Sequence, residues 1–128
     1  MEEFNAKVVF PDKINDGDVE IVDIHYDLEF LDVQVSILAT QEVLTLRFDM
    51  TEGFRVLDER DLHNWWQVIT MKDGWCFKVE SGGWLSQESS RTDFMIGSLE
   101  YYKEYLIIGL DTCISVISQK EPVILKGT

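Results

Sequence analysis

Between Val19 and Met50 the chain alternates apolar and polar residues with a period of two, and this alternation points to strands rather than helices. Ile24, Tyr26, Leu28 and Phe30 interleave with His25, Asp27 and Glu29. Leu31, Val33, Val35 and Ile37 then continue the apolar series one residue out of phase. Two successive apolar residues, Phe30 and Leu31, mark either a bulge or a sharp reversal. A third run, Leu44, Leu46, Phe48 and Met50, alternates with Thr45, Arg47 and Asp49. Successive side chains on a strand point to opposite faces, so each run has one apolar and one polar side. The expectation is an antiparallel meander with one buried face and one wet, acidic face.

The flanks extend this reading. "AKVVF" reads as a short edge strand stopped by Pro11 and the turn-forming "NDGD". "LDERDLHNWWQ" is the one helical pattern: Asp58 is a suitable cap, Asp61 adds a carboxylate to the first turn, and Leu62, Trp65 and Trp66 form an apolar stripe. Asp73-Gly74 signals a turn before the alternating Trp75, Phe77 and Val79, and Gly82-Gly83 breaks that strand. "LSQESSRTDFMIGS" reads as a loop, and "EYLIIGLDTCISVISQKEP" as two strands about a turn at Leu110 to Thr112, stopped by Pro122. The fold class expected is α+β, mostly β: a bent antiparallel sheet or two packed sheets with one helix at about 58–67. Without repeats or a low-complexity linker, residues 1–128 form one domain.

Composition limits what such a domain can bind. The formal net charge is −13, of which the first 32 residues carry −8, from ten acids against Lys7 and Lys13. A field of this sign repels nucleic acid and anionic membranes, and its segregation along the chain suits the steering of a basic partner onto one face. There is no apolar run long enough to span a membrane and no signal-peptide pattern at the start. Cys76 and Cys113 stand singly in apolar stretches. A reduced, cytoplasmic protein is the expectation.

Several chemistries can be weighed against the residues. With Gly17 as the sharp-turn position, Asp12, Asp16, Glu20 and Asp23 fall at positions one, five, nine and twelve of an EF-hand-type calcium loop. Ile14 at the third position lacks an oxygen, Asp23 is shorter than the usual Glu, and Pro11 and an alternating pattern replace the flanking helices. Nucleophilic catalysis would need a cysteine or serine beside a base, and the two histidines, His25 and His63, have no such spacing. Cys76 in a strand points away from Trp75 and Phe77, with nothing nearby to lower its pKa. "ESGGWL" lacks the lysine and helix of a phosphate loop. Carboxylate pairs are too numerous to single out an acid and a base. Trp65, Trp66, Trp75 and Trp84 with Tyr101, Tyr102 and Tyr105 could stack on sugars, but core packing accounts for most of them. Trp84, after a flexible Gly-Gly, also suits an interface anchor. No catalytic residue, cofactor or metal is expected.

At "GFRVLDERDL" and "ESGGWL", with "EYLIIGLDTCISVIS", the chain resembles small acidic bacterial immunity proteins of polymorphic toxin and contact-dependent growth inhibition systems, over about residues 53–118. The resemblance implies a non-catalytic cytoplasmic inhibitor that binds a cognate toxin. Where that toxin is nuclease-like, its cleft is basic, and carboxylates would occupy it through charge-assisted hydrogen bonds. The contact residues expected are Asp16, Asp18, Glu20, Asp23, Asp27 and Glu29, with Trp84. Asp23, Asp27 and Glu29 face outward if Ile24, Tyr26 and Leu28 face inward. Two other readings stay open: an acidic nucleic-acid mimic that occupies a DNA-binding protein, and a small carbohydrate- or calcium-binding module.

Overall fold

A computed structural model describes residues 5–9, 18–58, 74–81, 83–84 and 102–126. Nine strands are described: β1 (Asn5–Val8), β2 (Val19–Tyr26), β3 (Phe30–Ile37), β4 (Glu42–Asp49), β5 (Thr51–Asp58), β6 (Cys76–Ser81), β7 (Lys103–Ile108), β8 (Thr112–Ser118) and β9 (Val123–Lys126). They form two antiparallel sheets, one ordered β2-β3-β4-β9 and the other β1-β6-β7-β8-β5. The mostly-β expectation and the two-sheet alternative are therefore observed. The helix expected at about 58–67 is not among the described elements. Asp58, expected as its cap, is the last residue of β5, paired with Thr112, and 59–67 lie outside the described residues.

The alternation is translated directly into the four-stranded sheet. Leu31, Val33 and Val35 stand opposite Phe48, Leu46 and Leu44, and all six are buried. Val19 and Ile37 extend the same layer, and Ile21 and Ile24 pack against it. From the other sheet, Cys76, Tyr105, Ile107, Ile114 and Val116 complete a single buried cluster, with Trp75 just before β6. Phe48 and Tyr105 meet across the layers with ring centroids 5.7 Å apart. At one end Tyr26 meets Phe54 edge to face at 5.5 Å. Such aromatic contacts add directional preference to the area they bury.

In the five-stranded sheet the neighbouring strands β7 and β8 are buried on both faces. Phe77, Val79, Leu106, Ile108 and Cys113 form a second cluster on the side away from the first. Strands covered on both sides have no reason to alternate. That is why "YLII" reads as a continuous apolar run and "CISVIS" as an apolar run broken only by small, buried serines, while β3 and β4 alternate cleanly.

Three local departures from the sequence reading have physical causes. The phase slip at Phe30–Leu31 is a reversal: Asp27 N–H donates to the Phe30 carbonyl, so Leu28 and Glu29 form a two-residue hairpin loop. Leu28 therefore does not point into the core, and Phe30 lies on the outer face over the Arg47 guanidinium. Met50, expected to continue the β4 series inward, instead sits at the corner where the chain leaves one sheet for the other, with φ 56°. Ser118 Oγ, 2.8 Å from the Asp49 carbonyl, and Gln119 N–H, 3.4 Å from the Met50 carbonyl, hold that corner against the end of β8.

The β7–β8 turn is locked onto β2. Gly109 N–H donates to the Thr112 carbonyl and Leu110 N–H to the Val19 carbonyl, each at 3.0 Å. A Cβ on Gly109 would lie 2.8 Å from the Thr112 carbonyl oxygen and 3.1 Å from Ile21 N. Both neighbours are backbone and cannot swing aside. Gly109→Ala is expected to destabilise the fold by about 1–3 kcal/mol, read as a lower denaturant midpoint at unchanged slope.

Candidate functional site

The acidic residues of β2 are placed by its alternation and by one bulge. Glu20 pairs with Ser36, Asp23 with Gln34 and His25 with Asp32, all on the outer face. The register shifts between Ile21 and Asp23, so Val22 is the extra residue and Asp23 stays outward despite its odd spacing from Glu20. β2 ends the four-stranded sheet, and its eight residues extend about 26 Å at roughly 3.3 Å each. Asp18 before it and Asp27 and Glu29 after it are exposed. Five of the residues expected from sequence thus lie along one edge strand and its turn. Asp16 lies outside the described residues.

Trp84 does not join them. It sits beside the five-stranded sheet, half-buried, with the Arg55 guanidinium 4.9 Å from its ring and its edge 3.5 Å from where a Cβ on Gly53 would be. Its backbone N–H donates to Glu104 at 3.2 Å. Expected as an interface anchor because of the preceding glycines, it lies apart from the acidic strand and is held in place by these local contacts. The close approach of Gly83 to Glu104 and Val79 explains one of those glycines: a Cβ there would lie 2.6 Å from the Glu104 carboxylate.

The carboxylates on and around β2 differ in how they are engaged. Asp32 is taken: Arg47 Nε and a terminal guanidinium nitrogen donate to its two oxygens at 2.8 and 2.9 Å. This bidentate geometry is the strong form of the pair, and it leaves that arginine little capacity for the neighbouring acids. Asp27 has a structural task. Its Oδ1 accepts the Glu29 and Phe30 backbone N–H groups at 2.9 and 2.8 Å, an Asx cap on the hairpin loop. Asp18, Glu20, Asp23 and Glu29 make no ion pair with the described residues. Neighbouring acids along the strand lie within about one Debye length at physiological salt, so their potentials add.

Asp27's cap gives a pH dependence with a definite sign. The N–H donors of Phe30 and Glu29 favour the charged form and hold its pKa below the ordinary aspartate value of 3.8. A depressed folded-state pKa contributes stability that is present above the unfolded value and lost as pH falls through the folded one. Asp27→Asn keeps an acceptor and removes the titration. A carboxyl carbon NMR titration is expected to place the Asp27 midpoint below 3.8, and the Asn variant is expected to lose less hairpin order between neutral and acid pH. A midpoint at or above that value would show that the cap is not formed in solution.

The outer face is not acidic throughout. Val43, Val123 and Leu125 are exposed at its far side, on β4 and β9. The expected wet, acidic face is thus divided, with acid along β2 and apolar residues at the opposite edge. The misfit expected of the calcium-loop pattern is observed on its exit side: Glu20 and Asp23 lie within an extended strand, where an EF-hand would begin its exit helix. Asp12 lies outside the described residues. Among the described residues no group of three or more metal-ligating side chains occurs, and no helix is long and apolar enough to cross a membrane.

Both cysteines are buried thiols. Burial pushes the Cys76 pKa up, away from the thiolate form that nucleophilic chemistry requires, so it serves as a small packing group. The same cause raises the Tyr105 phenol.

Compared with known protein families, characterised proteins and solved structures, the chain finds no match. The chemistry available at the β2 surface is acceptance of hydrogen bonds from cations. A second feature, which sequence reasoning did not single out, lies beside it: the exposed Leu28 and Met50 flank an open cleft at the end of the sheet. Both residues carried only an alternation signal, which pointed them inward.

Proposed function

We propose that this protein is a non-catalytic immunity protein that binds and neutralises a cognate bacterial toxin, one with a basic, nuclease-like domain. The observation that carries the reading is the row of exposed carboxylates at Asp18, Glu20, Asp23 and Glu29 along an edge strand and its turn, unpaired with the described cations. A toxin cleft built to hold phosphates presents Lys and Arg. Such cations would exchange water for carboxylate oxygens, and the summed field would raise the encounter rate. The resemblance at "GFRVLDERDL" and "ESGGWL" supports the same role.

The test is co-purification of the tagged protein from its native cell at low and then moderate salt. The expected result is one dominant basic protein, lost progressively as salt rises. A scatter of DNA-binding proteins would replace this reading with that of a nucleic-acid mimic. No protein partner, with a gain in thermal stability on adding calcium or a glycan, would replace it with a ligand-binding module.

A further inference from the structure

The cleft beside the acidic strand is built from two connections. The β2–β3 hairpin loop supplies Leu28 and Glu29, and the β4–β5 corner supplies Asp49, Met50, Thr51 and Glu52, around a volume of ≈ 350 Å³. That is at the lower end of ligand-sized clefts, about 300–1,000 Å³, with room for side chains but not for a helix. Its apolar part is unusually forward. Leu28 is 85% exposed and Met50 46%, and both have positive φ, 78° and 56°. Bulky side chains seldom take such a backbone, which glycine adopts without strain. Two large apolar residues are thus held in solvent at positions where glycine would cost less.

The polar part is anionic. Glu29, Asp49 and Glu52 line the cleft; Lys120 Nζ lies 3.6 Å from Asp49, and the Tyr102 hydroxyl lies 3.5 Å from Glu52. Glu29 makes no ion pair with the described residues, and the Arg47 guanidinium, which acts on it only through its field, is held by Asp32. An occupant must therefore bring positive charge and a hydrocarbon surface together. Nucleic acid and anionic lipid carry the wrong sign, and a second copy of this chain would bring another −13.

We propose that this cleft anchors a segment of a basic protein, taking an arginine or lysine flanked by an aliphatic residue. The cation lies between Glu29 and Glu52, and the hydrocarbon packs on Leu28 and Met50. Long basic side chains suit this because their stems are apolar and their heads charged. The inference rests on the reading of the chain as a binder of a basic toxin, and it places the apolar anchor of that interface at the cleft, with the β2 acids as its electrostatic rim.

The probe is the peptide Ac-Gly-Arg-Leu-Arg-Gly-amide, titrated into the isotope-labelled protein and followed by amide NMR, beside an analogue with Gln for each Arg. The expected result is saturable shifts at Leu28, Glu29, Met50 and Glu52 that exceed those at Glu20 and Asp23, and no saturable binding of the Gln analogue. Leu28→Gly supplies the control for folding. It relieves a left-handed leucine, so Tm is expected to rise by about 4 °C, while peptide affinity falls about fivefold or more through loss of the apolar contact. Shifts spread evenly over all exposed acids, equal binding of the Gln analogue, or wild-type affinity in Leu28→Gly would each overturn the proposal. The two readings separate cleanly. A co-purified basic protein whose binding ignores Leu28→Gly but fails on reversal of Glu20 and Asp23 removes the cleft and leaves the toxin-binding reading standing. A peptide seated in the cleft without any basic protein partner removes the toxin-binding reading alone.

Discussion

Phe48→Ala is expected to destabilise the fold by about 3–5 kcal/mol. Phe48 is fully buried on the inner face of β4, opposite Leu31, and its ring meets Tyr105 from the other sheet. Truncation removes the apolar burial and the ring contact, and it leaves a cavity between two layers whose backbones are fixed by their own ladders. Neither sheet can collapse far into the gap without breaking register, so the cavity cost remains. For a domain of this size the loss is a large part of total stability, typically about 5–15 kcal/mol. Chemical denaturation should show a much lower midpoint with little change in slope. Arg47→Ala, one residue away on the outer face, is expected to cost less, about 1–2 kcal/mol, since the part-buried Asp32 pair and the contact with Phe30 are lost but no core cavity is opened. A small effect at Phe48 would mean that the two sheets do not share one core.

The second large effect concerns binding. Replacing Glu20 and Asp23 together by lysine should leave the fold within about 0.5 kcal/mol of wild type, because both are exposed on an outer face away from the core. The same change reverses the sign of the potential at the middle of β2. Association with a basic partner should slow by an order of magnitude or more at low salt, with a smaller change at high salt. Kinetic binding measurements at two ionic strengths, paired with a thermal melt, would separate the electrostatic effect from any loss of structure. Unchanged association rates would place the contact surface elsewhere.

How much of this was legible in the sequence depends on how many faces each strand buries. β3 and β4 bury one face, so their alternation fixes both strand and orientation, and Leu31 to Ile37 and Leu44 to Phe48 lie where periodicity puts them. β7 and β8 bury both faces, so their apolar runs announce strands without saying which residue faces which layer. β5 was hidden because Glu52, Gly53 and Arg55 dilute its apolar residues and because the strong helix pattern after Leu57 drew the boundary forward. β9 was hidden by Pro122, which ends the preceding run and permits a short edge strand just after it. The outward placement of Glu20 and Asp23 was only partly legible, since the bulge at Val22 restores a phase that strict alternation would have lost. Leu28 and Met50 were misdirected for a common reason. Each continues an apolar series by one residue past the strand's end, where a turn or sheet change with positive φ exposes it. No glycine or asparagine marks either position. The charge segregation was legible throughout, because it belongs to composition and needs no geometry.

The most direct measurement is the association rate of the proposed basic partner, once isolated by co-purification, with the wild-type chain as ionic strength rises from about 0.05 to 0.5 M, spanning Debye lengths from roughly 14 to 4 Å. The account predicts a fall of about tenfold or more across that range, with the Glu20 and Asp23 double reversal starting low and changing little. A rate that does not depend on salt, or a reversal variant that associates as fast as wild type, would contradict it.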